Sequence, residues 1–110
     1  MPSLFSRDVQ VAVLSSGSRG NCTYVGDGRC GVLIDCGLST KQILLRMKDI
    51  GLDGAPIDAV LVTHEHSDHA GSCRILCNRL EKMQNGPVPF YMTQGTAAAL
   101  KPQMVPKHLH

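Results

Sequence analysis

The stretch from Val60 to Gly71 constrains this chain more than any other, because an apolar run ends there in a dense cluster of ionisable side chains. Three histidines and two carboxylates fall within the six residues 64–69. Core packing does not require such a cluster, since these side chains compete for the same solvent. Imidazole and carboxylate groups are ligands that zinc, iron and manganese bind. The pattern therefore predicts a metal site at the end of a buried strand.

The composition bounds the class of protein. The 110 residues are 43% hydrophobic and 18% charged, which fits one small globular domain or a piece of a larger one. A net charge of +2, with scattered basic residues, gives no electrostatic argument for nucleic-acid binding. No apolar stretch approaches the roughly 20 residues of a membrane span, and the first residues lack a signal-peptide core. We therefore expect a cytoplasmic protein without membrane contact, whose five cysteines are reduced and buried.

Apolar periodicity predicts a mixed α/β (α+β) chain. Strands are expected at 9–14, 22–26, 30–35, 58–63 and 88–92, and helices at 39–50, 72–83 and 95–101. Asp27-Gly28 is a strong hairpin signal between the second and third strands. The third strand is uniformly apolar and therefore expected to be central. This order favours a mixed sheet with helices on one face, and the tail 102–110 shows no clear structure.

The spacing of the histidine cluster predicts two metal positions. If the chain stays extended past Thr63, then His64 and His66 point to the same side and hold one ion. Asp68 and His69 lie one bend further on and can converge on a second ion. Two divalent ions about 3.5–4 Å apart would activate a bridging water, and the Asp68 carboxylate would accept a hydrogen bond from it. Zinc is the expected metal, with manganese or iron as alternatives.

The cluster has two other interpretations, a polar surface loop and a structural zinc site. Glu65 and Ser67 alternate with the histidines and should point away, and Glu65 is expected to be structural. A polar surface loop would place three of the five histidines after a buried strand by accident. A structural zinc site is a better rival, but such sites are closed by four ligands, often cysteines, and the cluster contains none.

The segment Thr63-His64-Glu65-His66-Ser67-Asp68-His69-Ala70-Gly71 resembles the H-x-H-x-D-H signature of the metallo-β-lactamase-fold hydrolases. The upstream segments 14–25 and 33–39 resemble one branch of that family, the WalJ (YycJ)-like, exonuclease-type group. The resemblance implies that His64 and His66 bind the first metal, and that Asp68 and His69 bind the second. It also implies that Asp35 supports the site from behind the ligands, although an ordinary turn aspartate is the plain alternative.

The resemblance also implies ligands that this chain lacks. The family uses a further histidine, a bridging aspartate and a final histidine, whereas no aspartate follows Asp68 here. Residues 1–110 are therefore expected to be the N-terminal half of the family's αββα sandwich, with one sheet face exposed and open to self-association. His108 and His110 could complete a site in principle, but a frayed terminal tail is the expectation.

The function expected from this resemblance is metal-dependent hydrolysis. The first hypothesis is a phosphodiesterase or DNA exonuclease in which metal-bound hydroxide attacks phosphorus, with nucleic acid as substrate and this chain weak or inactive alone. Thioester, lactone or β-lactam hydrolysis on the same fold is the alternative chemistry. A non-catalytic, metal-binding fragment is the alternative from a different class. The loop 15–21 is either a rim of the active site or a plain connection.

Overall fold

A computed structural model of the chain describes residues 9–17, 20–64, 70, 72–102 and 105–109. The predicted sequence of strands and helices is confirmed. The strands are β1 (Gln10–Ser15), β2 (Cys22–Gly26), β3 (Gly31–Ile34), β4 (Ala59–Leu61) and β5 (Phe90–Tyr91). The helices are α1 (Thr40–Asp49), α2 (Cys73–Gln84) and α3 (Gln94–Ala99). The chain is therefore mixed α/β, as the periodicity indicated.

The five strands form one sheet in the order β1-β2-β3-β4-β5, so β3 is central as predicted. The first three strands pair antiparallel, whereas β3, β4 and β5 run parallel. The predicted hairpin joins β2 to β3, and the Asp27 carboxylate accepts hydrogen bonds of 2.9 Å from the backbone N–H groups of Arg29 and Cys30. Since β3, β4 and β5 are parallel, their carboxyl ends meet at one edge of the sheet.

The core lies between one face of this sheet and the helices α1 and α2. Paired positions across the strands bring together a row of side chains on this face, namely Ala12, Tyr24, Leu33, Val60 and Phe90. Ile43 of α1 and Leu76 and Leu80 of α2 are fully buried against the same cluster. Each large apolar side chain buried in this way stabilises the fold by about 1.5–3 kcal/mol.

The opposite face of the sheet carries apolar side chains that remain exposed. The next row of paired positions consists of Val13, Thr23, Ile34, Leu61 and Tyr91. Val13 is 64% exposed, and Leu61 and Tyr91 are 39% and 43% exposed. The two faces of the sheet are therefore both largely apolar, and only one of them is covered by the helices of the described chain.

The chain end departs from the prediction. The expected structureless tail is wrong for residues 105–109, because Leu109 forms a parallel bridge with Phe90 and the Phe90 N–H donates to the His108 carbonyl at 2.8 Å. The Arg74 guanidinium donates to the carbonyl of Val105 at 3.0 Å. The cause is the edge of β5, whose backbone groups offer hydrogen bonds that a passing segment can use. His110 lies outside the described residues.

Two smaller expectations also require comment. Cys30 is exposed in the hairpin, so the prediction of five buried cysteines is wrong at this position, while the other four are buried and all five are free thiols. A turn residue faces solvent whatever its polarity, which explains the exception. Among the described helices, none combines the length and apolar character needed to span a bilayer.

Candidate metal centre

The centre is built around Asp35, the first residue after β3. Its backbone takes the left-handed conformation with φ of 65°, which turns the chain sharply at the end of β3. Its N–H donates to the Leu61 carbonyl at 2.7 Å, so the end of β3 is fastened to the end of β4. The side chain is 6% exposed. A buried carboxylate is stable only when hydrogen-bond donors surround it, and the next element supplies them.

Thr63 supplies two of these donors. Its backbone N–H donates to Asp35 Oδ1 and its hydroxyl donates to Asp35 Oδ2, both at 2.7 Å. Short hydrogen bonds to a carboxylate are stronger than those between neutral groups. The pair fixes the backbone of Thr63 one residue before the first predicted metal ligand.

The same hydroxyl orients His64. Thr63 Oγ1 lies 2.9 Å from His64 Nδ1. Because the hydroxyl proton is committed to Asp35, the oxygen can only accept from the imidazole, so Nδ1 carries the ring proton. The lone pair then resides on Nε2, which is the atom of a neutral imidazole that can bind a metal. A carboxylate–hydroxyl–imidazole series of this kind sets both the tautomer and the direction of a metal ligand.

Ser72, which follows the histidine cluster in the sequence, is held by the same turn. We call residues 35–38 the exit turn of β3. The Ser72 hydroxyl lies 2.9 Å from the Cys36 carbonyl oxygen and 2.6 Å from the Leu38 carbonyl oxygen. The Ser72 N–H donates to the Cys36 carbonyl oxygen at 3.1 Å. The Ser72 hydroxyl is therefore hydrogen-bonded to the exit turn, and it makes no side-chain capping hydrogen bond to α2. Thr63 and Ser72 thus bracket the cluster, and both are anchored on one short turn.

The glycine-rich loop 15–21 also contacts the exit turn. The Gly37 N–H donates to the Asn21 carbonyl at 2.9 Å. A Cβ at Gly20, whose φ is 138°, would lie 3.0 Å from the Gly37 carbonyl oxygen, so only glycine allows this approach. The Asn21 side chain closes the loop through hydrogen bonds with the backbone N–H and carbonyl of Gly17. Gly20 and Asn21 therefore lie directly against the exit turn.

The structure describes one of the four predicted metal ligands. His64 is described and exposed, and Thr63 links it to Asp35. His66, Asp68 and His69 lie outside the described residues, as do Glu65 and Ser67. Within the described ranges no group of three or more His, Cys, Asp or Glu side chains is arranged to hold a metal ion. The donor chemistry nevertheless fits a divalent ion, because an imidazole that contacts the Thr63 hydroxyl through Nδ1 leaves Nε2 as the nitrogen that can bind a metal.

Sequence reasoning missed the parts played by Thr63 and Ser72. The sequence predicts Thr63 at the end of a strand and Ser72 at the start of a helix, which is close to where both lie. The available signal was their position, since a hydroxyl residue stands on each side of the histidine cluster. His108 was considered as a distant ligand, but its Nε2 lies 3.4 Å from Glu81 Oε1 on α2.

Buried thiols surround the back of the centre. Burial raises the pKa of the Cys22 thiol to about 12, and the nearby charge of Asp35 adds to the rise. The pKa of Cys36 is also raised well above its usual range, first by its contact with the Cys73 thiol and then by burial. These thiols are therefore neutral near pH 7. A separate cavity of about 790 Å³ lies between α1 and α2 and is lined by residues such as Leu44, Ile75 and Met83 rather than by the centre.

Comparison with known proteins identifies relatives of this chain by sequence. The chain is 38% identical over 68 residues to the exodeoxyribonuclease WalJ of Streptococcus pneumoniae, covering 62% of this chain and 25% of that protein. It is 36% identical over 90 residues to the exodeoxyribonuclease YycJ of Bacillus anthracis, covering 82% of this chain and 32% of the relative. The chain thus spans about a quarter to a third of the length of these relatives.

The fold has a counterpart among solved structures. The metallo-beta-lactamase FIM-1 of Pseudomonas aeruginosa, solved in a mono-zinc form, superposes with a TM-score of 0.55 at 19% identity. The match covers 94% of this chain and 51% of FIM-1. The sequence profile of the Metallo-beta-lactamase superfamily matches residues 16–84, which is more than half of the chain. By this match, the chain belongs to the metallo-β-lactamase superfamily of hydrolases.

Proposed function

We propose that this chain carries the first half of a two-metal site that hydrolyses phosphodiester bonds in DNA. The observation that carries the proposal is the series Asp35–Thr63–His64, which presents the Nε2 lone pair of His64 at the start of the histidine cluster. The relatives named exodeoxyribonuclease support the choice of substrate. The low net charge of +2 gives no independent support for a DNA substrate. The proposed substrate class therefore depends on these relatives.

In this proposal each ligand has a separate role. His64 and His66 bind one divalent ion, and Asp68 and His69 bind the other. Asp68 also accepts a hydrogen bond from the attacking water and so orients it. Zinc is the proposed metal, with manganese or iron as alternatives. When bound, such ions lower the pKa of water and neutralise charge on a phosphate. Asp35 and Thr63 hold His64 in the required tautomer, and Ser72 fixes the other end of the cluster.

We further propose that residues 1–110 correspond to the N-terminal half of the αββα sandwich. The superposition on FIM-1, which takes up nearly this whole chain and about half of that one, supports the assignment. The remaining ligands would then come from the other half of a complete domain. The isolated chain is accordingly proposed to be weak or inactive, and a cytoplasmic location is proposed because DNA is the substrate class of the relatives.

We propose self-association for the isolated chain through the exposed sheet face. Val13, Leu61 and Tyr91 lie in one row of paired strand positions, and each is more than a third exposed. Apolar area of this kind tends to be covered by another surface in water. A second copy presents the same face, so two chains can bury it against each other.

The proposed activity is tested by metal analysis combined with a nuclease assay. The complete protein and the isolated chain are each loaded with zinc or manganese and incubated with linear DNA. Turnover by the complete protein that is lost in Asp68→Ala and kept in Asp53→Ala, an exposed loop carboxylate, is the expected result. Metal binding without DNA cleavage in the complete protein would instead support the non-catalytic alternative. Absence of bound metal in the complete protein would overturn the hydrolytic site itself.

A further inference from the structure

Two buried thiols meet directly behind the candidate metal centre. Cys36 Sγ and Cys73 Sγ lie 3.2 Å apart, within the distance at which one thiol donates its hydrogen to the other sulfur. Both side chains are 0% exposed. Cys36 belongs to the exit turn of β3, and Cys73 is the first residue of α2. The contact therefore joins two segments that are 37 residues apart in sequence.

The two thiols are held together by contacts that do not involve sulfur. The Ser72 N–H donates to the Cys36 carbonyl at 3.1 Å, and the one hydroxyl proton of Ser72 is shared between the carbonyls of Cys36 and Leu38, so the backbone next to Cys73 is fastened to the backbone of Cys36. The Ser72 hydroxyl also reaches the Leu38 carbonyl at 2.6 Å. Because these bonds fix the separation of the two backbones, the sulfur atoms stay close in either oxidation state. Reaching a bond length of about 2.05 Å requires an approach of only about 1 Å.

We propose that Cys36 and Cys73 form a redox-active pair, in which an oxidant such as hydrogen peroxide converts the two thiols into an internal disulfide. This disulfide would tie the exit turn to the start of α2 and would close a loop of the chain whose sequence includes His66, Asp68 and His69. The two thiols can be oxidised in this way whether or not the chain binds metal or cleaves DNA.

The reaction balances with one peroxide molecule. One thiol releases its proton, and the resulting thiolate sulfur attacks a peroxide oxygen and takes up an OH group as the O–O bond breaks. The departing hydroxide takes up the released proton, so a sulfenic acid and one water are formed. The second thiol attacks the sulfenic sulfur, its proton joins the leaving hydroxide, and a second water departs. Two thiols are thereby oxidised by two electrons, and the peroxide is reduced to two waters. The protein loses two hydrogens in total.

The structure also sets the relative rate. Cys30 is the exposed cysteine of the chain and is open to the oxidant, whereas Cys36 and Cys73 are screened by the core. Thiolate is the reactive form, and burial disfavours it. The pair therefore reacts more slowly than Cys30, but it has a partner in contact and ends as an internal disulfide. Cys30 instead reacts with solution thiols or with another chain.

The test uses the full chain with Cys30→Ser, so that the exposed thiol does not form dimers. Reduced protein is treated with hydrogen peroxide, denatured, alkylated and digested. The expected result is a linked Cys36–Cys73 peptide whose mass is lower by two hydrogens and which disappears after dithiothreitol. Closing this long loop constrains the unfolded chain, so the dithiothreitol-reversible part of the rise in Tm should reach about 5 °C or more.

Two variants in the same background serve as comparisons. Cys73→Ser should yield no linked peptide and no reversible rise in Tm, whereas Cys77→Ser, one helical turn further along α2, should keep both. The peptide map of the Cys30→Ser chain tests the proposal even if neither of these two variants folds. Full alkylation of Cys36 and Cys73 after prolonged peroxide treatment would overturn the proposal, and so would a linkage of either one to Cys22 or Cys77.

Discussion

The Asp35 carboxylate accepts two hydrogen bonds of 2.7 Å from Thr63, one from the backbone N–H and one from the hydroxyl. The two residues are 28 positions apart and follow the neighbouring parallel strands β3 and β4. The contact fixes the ends of β3 and β4 relative to each other and so fixes the backbone directly before His64. Its strength therefore decides how well the first predicted metal ligand is positioned.

Replacement of Asp35 separates the contributions of charge and backbone. Asp35→Asn tolerates the left-handed φ of 65° but cannot accept from both Thr63 donors, so we expect a loss of about 1–3 kcal/mol in the free energy of unfolding. Asp35→Ala also strains the backbone, which adds about 1–2 kcal/mol. Urea unfolding measures both, with Asp53→Asn as an exposed control. Equal losses for the two variants would contradict a role for the left-handed backbone.

Replacement of Thr63 tests the tautomer of His64. Thr63→Val keeps the shape and the backbone hydrogen bond to Asp35 but removes the hydroxyl between the carboxylate and the imidazole. The metal affinity should then fall about 10-fold or more, and the ring proton of His64 should no longer be confined to Nδ1. Zinc competition titrations measure the first effect and imidazole nitrogen NMR shifts the second. Thr63→Ser is the matched control and should retain both properties.

The parts of this molecule that could be predicted from sequence are those encoded by local periodicity. Alternation in Val11 to Leu14 and the spacing of Ile43 and Met47 report on one strand and one helix at a time, and both elements are present. The position of Asp35 at a sharp turn was also predictable, because it directly follows an apolar strand. The fold class and the order of elements follow from such local signals.

The parts that were missed depend on contacts between distant segments. The tail 102–110 contains two prolines, so it indicated no structure, yet its later residues bond to β5 and α2. Ser72 read as the start of a helix, whereas its hydroxyl bonds to the exit turn 34 positions earlier, at Leu38. A single sequence does not indicate which distant backbone carbonyl will accept a hydrogen bond from a serine hydroxyl. The same limit applies to the contact between Cys36 and Cys73.

Gly31 marks a place where the sheet allows no side chain. A Cβ at this position would collide with the Pro56 carbonyl oxygen and the Tyr24 hydroxyl, which are themselves hydrogen-bonded at 2.8 Å. Gly31→Ala must displace backbone as well as a buried ring, so we expect a loss of about 1–3 kcal/mol or more. Thermal unfolding measures it against Gly86→Ala, where an added Cβ meets nothing within 4 Å. A similar Tm for the two variants would show that the sheet yields at this point.

The exposed sheet face predicts association that a single charge should weaken. Val13 is 64% exposed in the row shared with Leu61 and Tyr91, so Val13→Lys places an ammonium group in the proposed contact. We expect the dissociation constant measured by sedimentation equilibrium to rise about 10-fold or more, since burying an unpaired charge is costly. Ile75→Lys, at an equally exposed position on α2, is the matched control and should leave it unchanged. Loss of association in both variants would indicate non-specific contact.

The buried thiol of Cys22 predicts a loss of stability in alkaline solution. Burial and the Asp35 charge raise its pKa from 9.0 to about 12, so the folded state keeps the proton in a range where the unfolded chain releases it. The stabilisation is therefore complete below about pH 9 and declines as the pH rises from there towards 12. At about pH 10 the unfolded state gains about 1.4 kcal/mol from this ionisation. Cys22→Ala removes this dependence, so its penalty in urea unfolding should shrink by that amount between about pH 8 and pH 10. Leu76→Ala, a core truncation without an ionisable group, should cost the same at both pH values, and a constant penalty for Cys22→Ala would contradict the raised pKa.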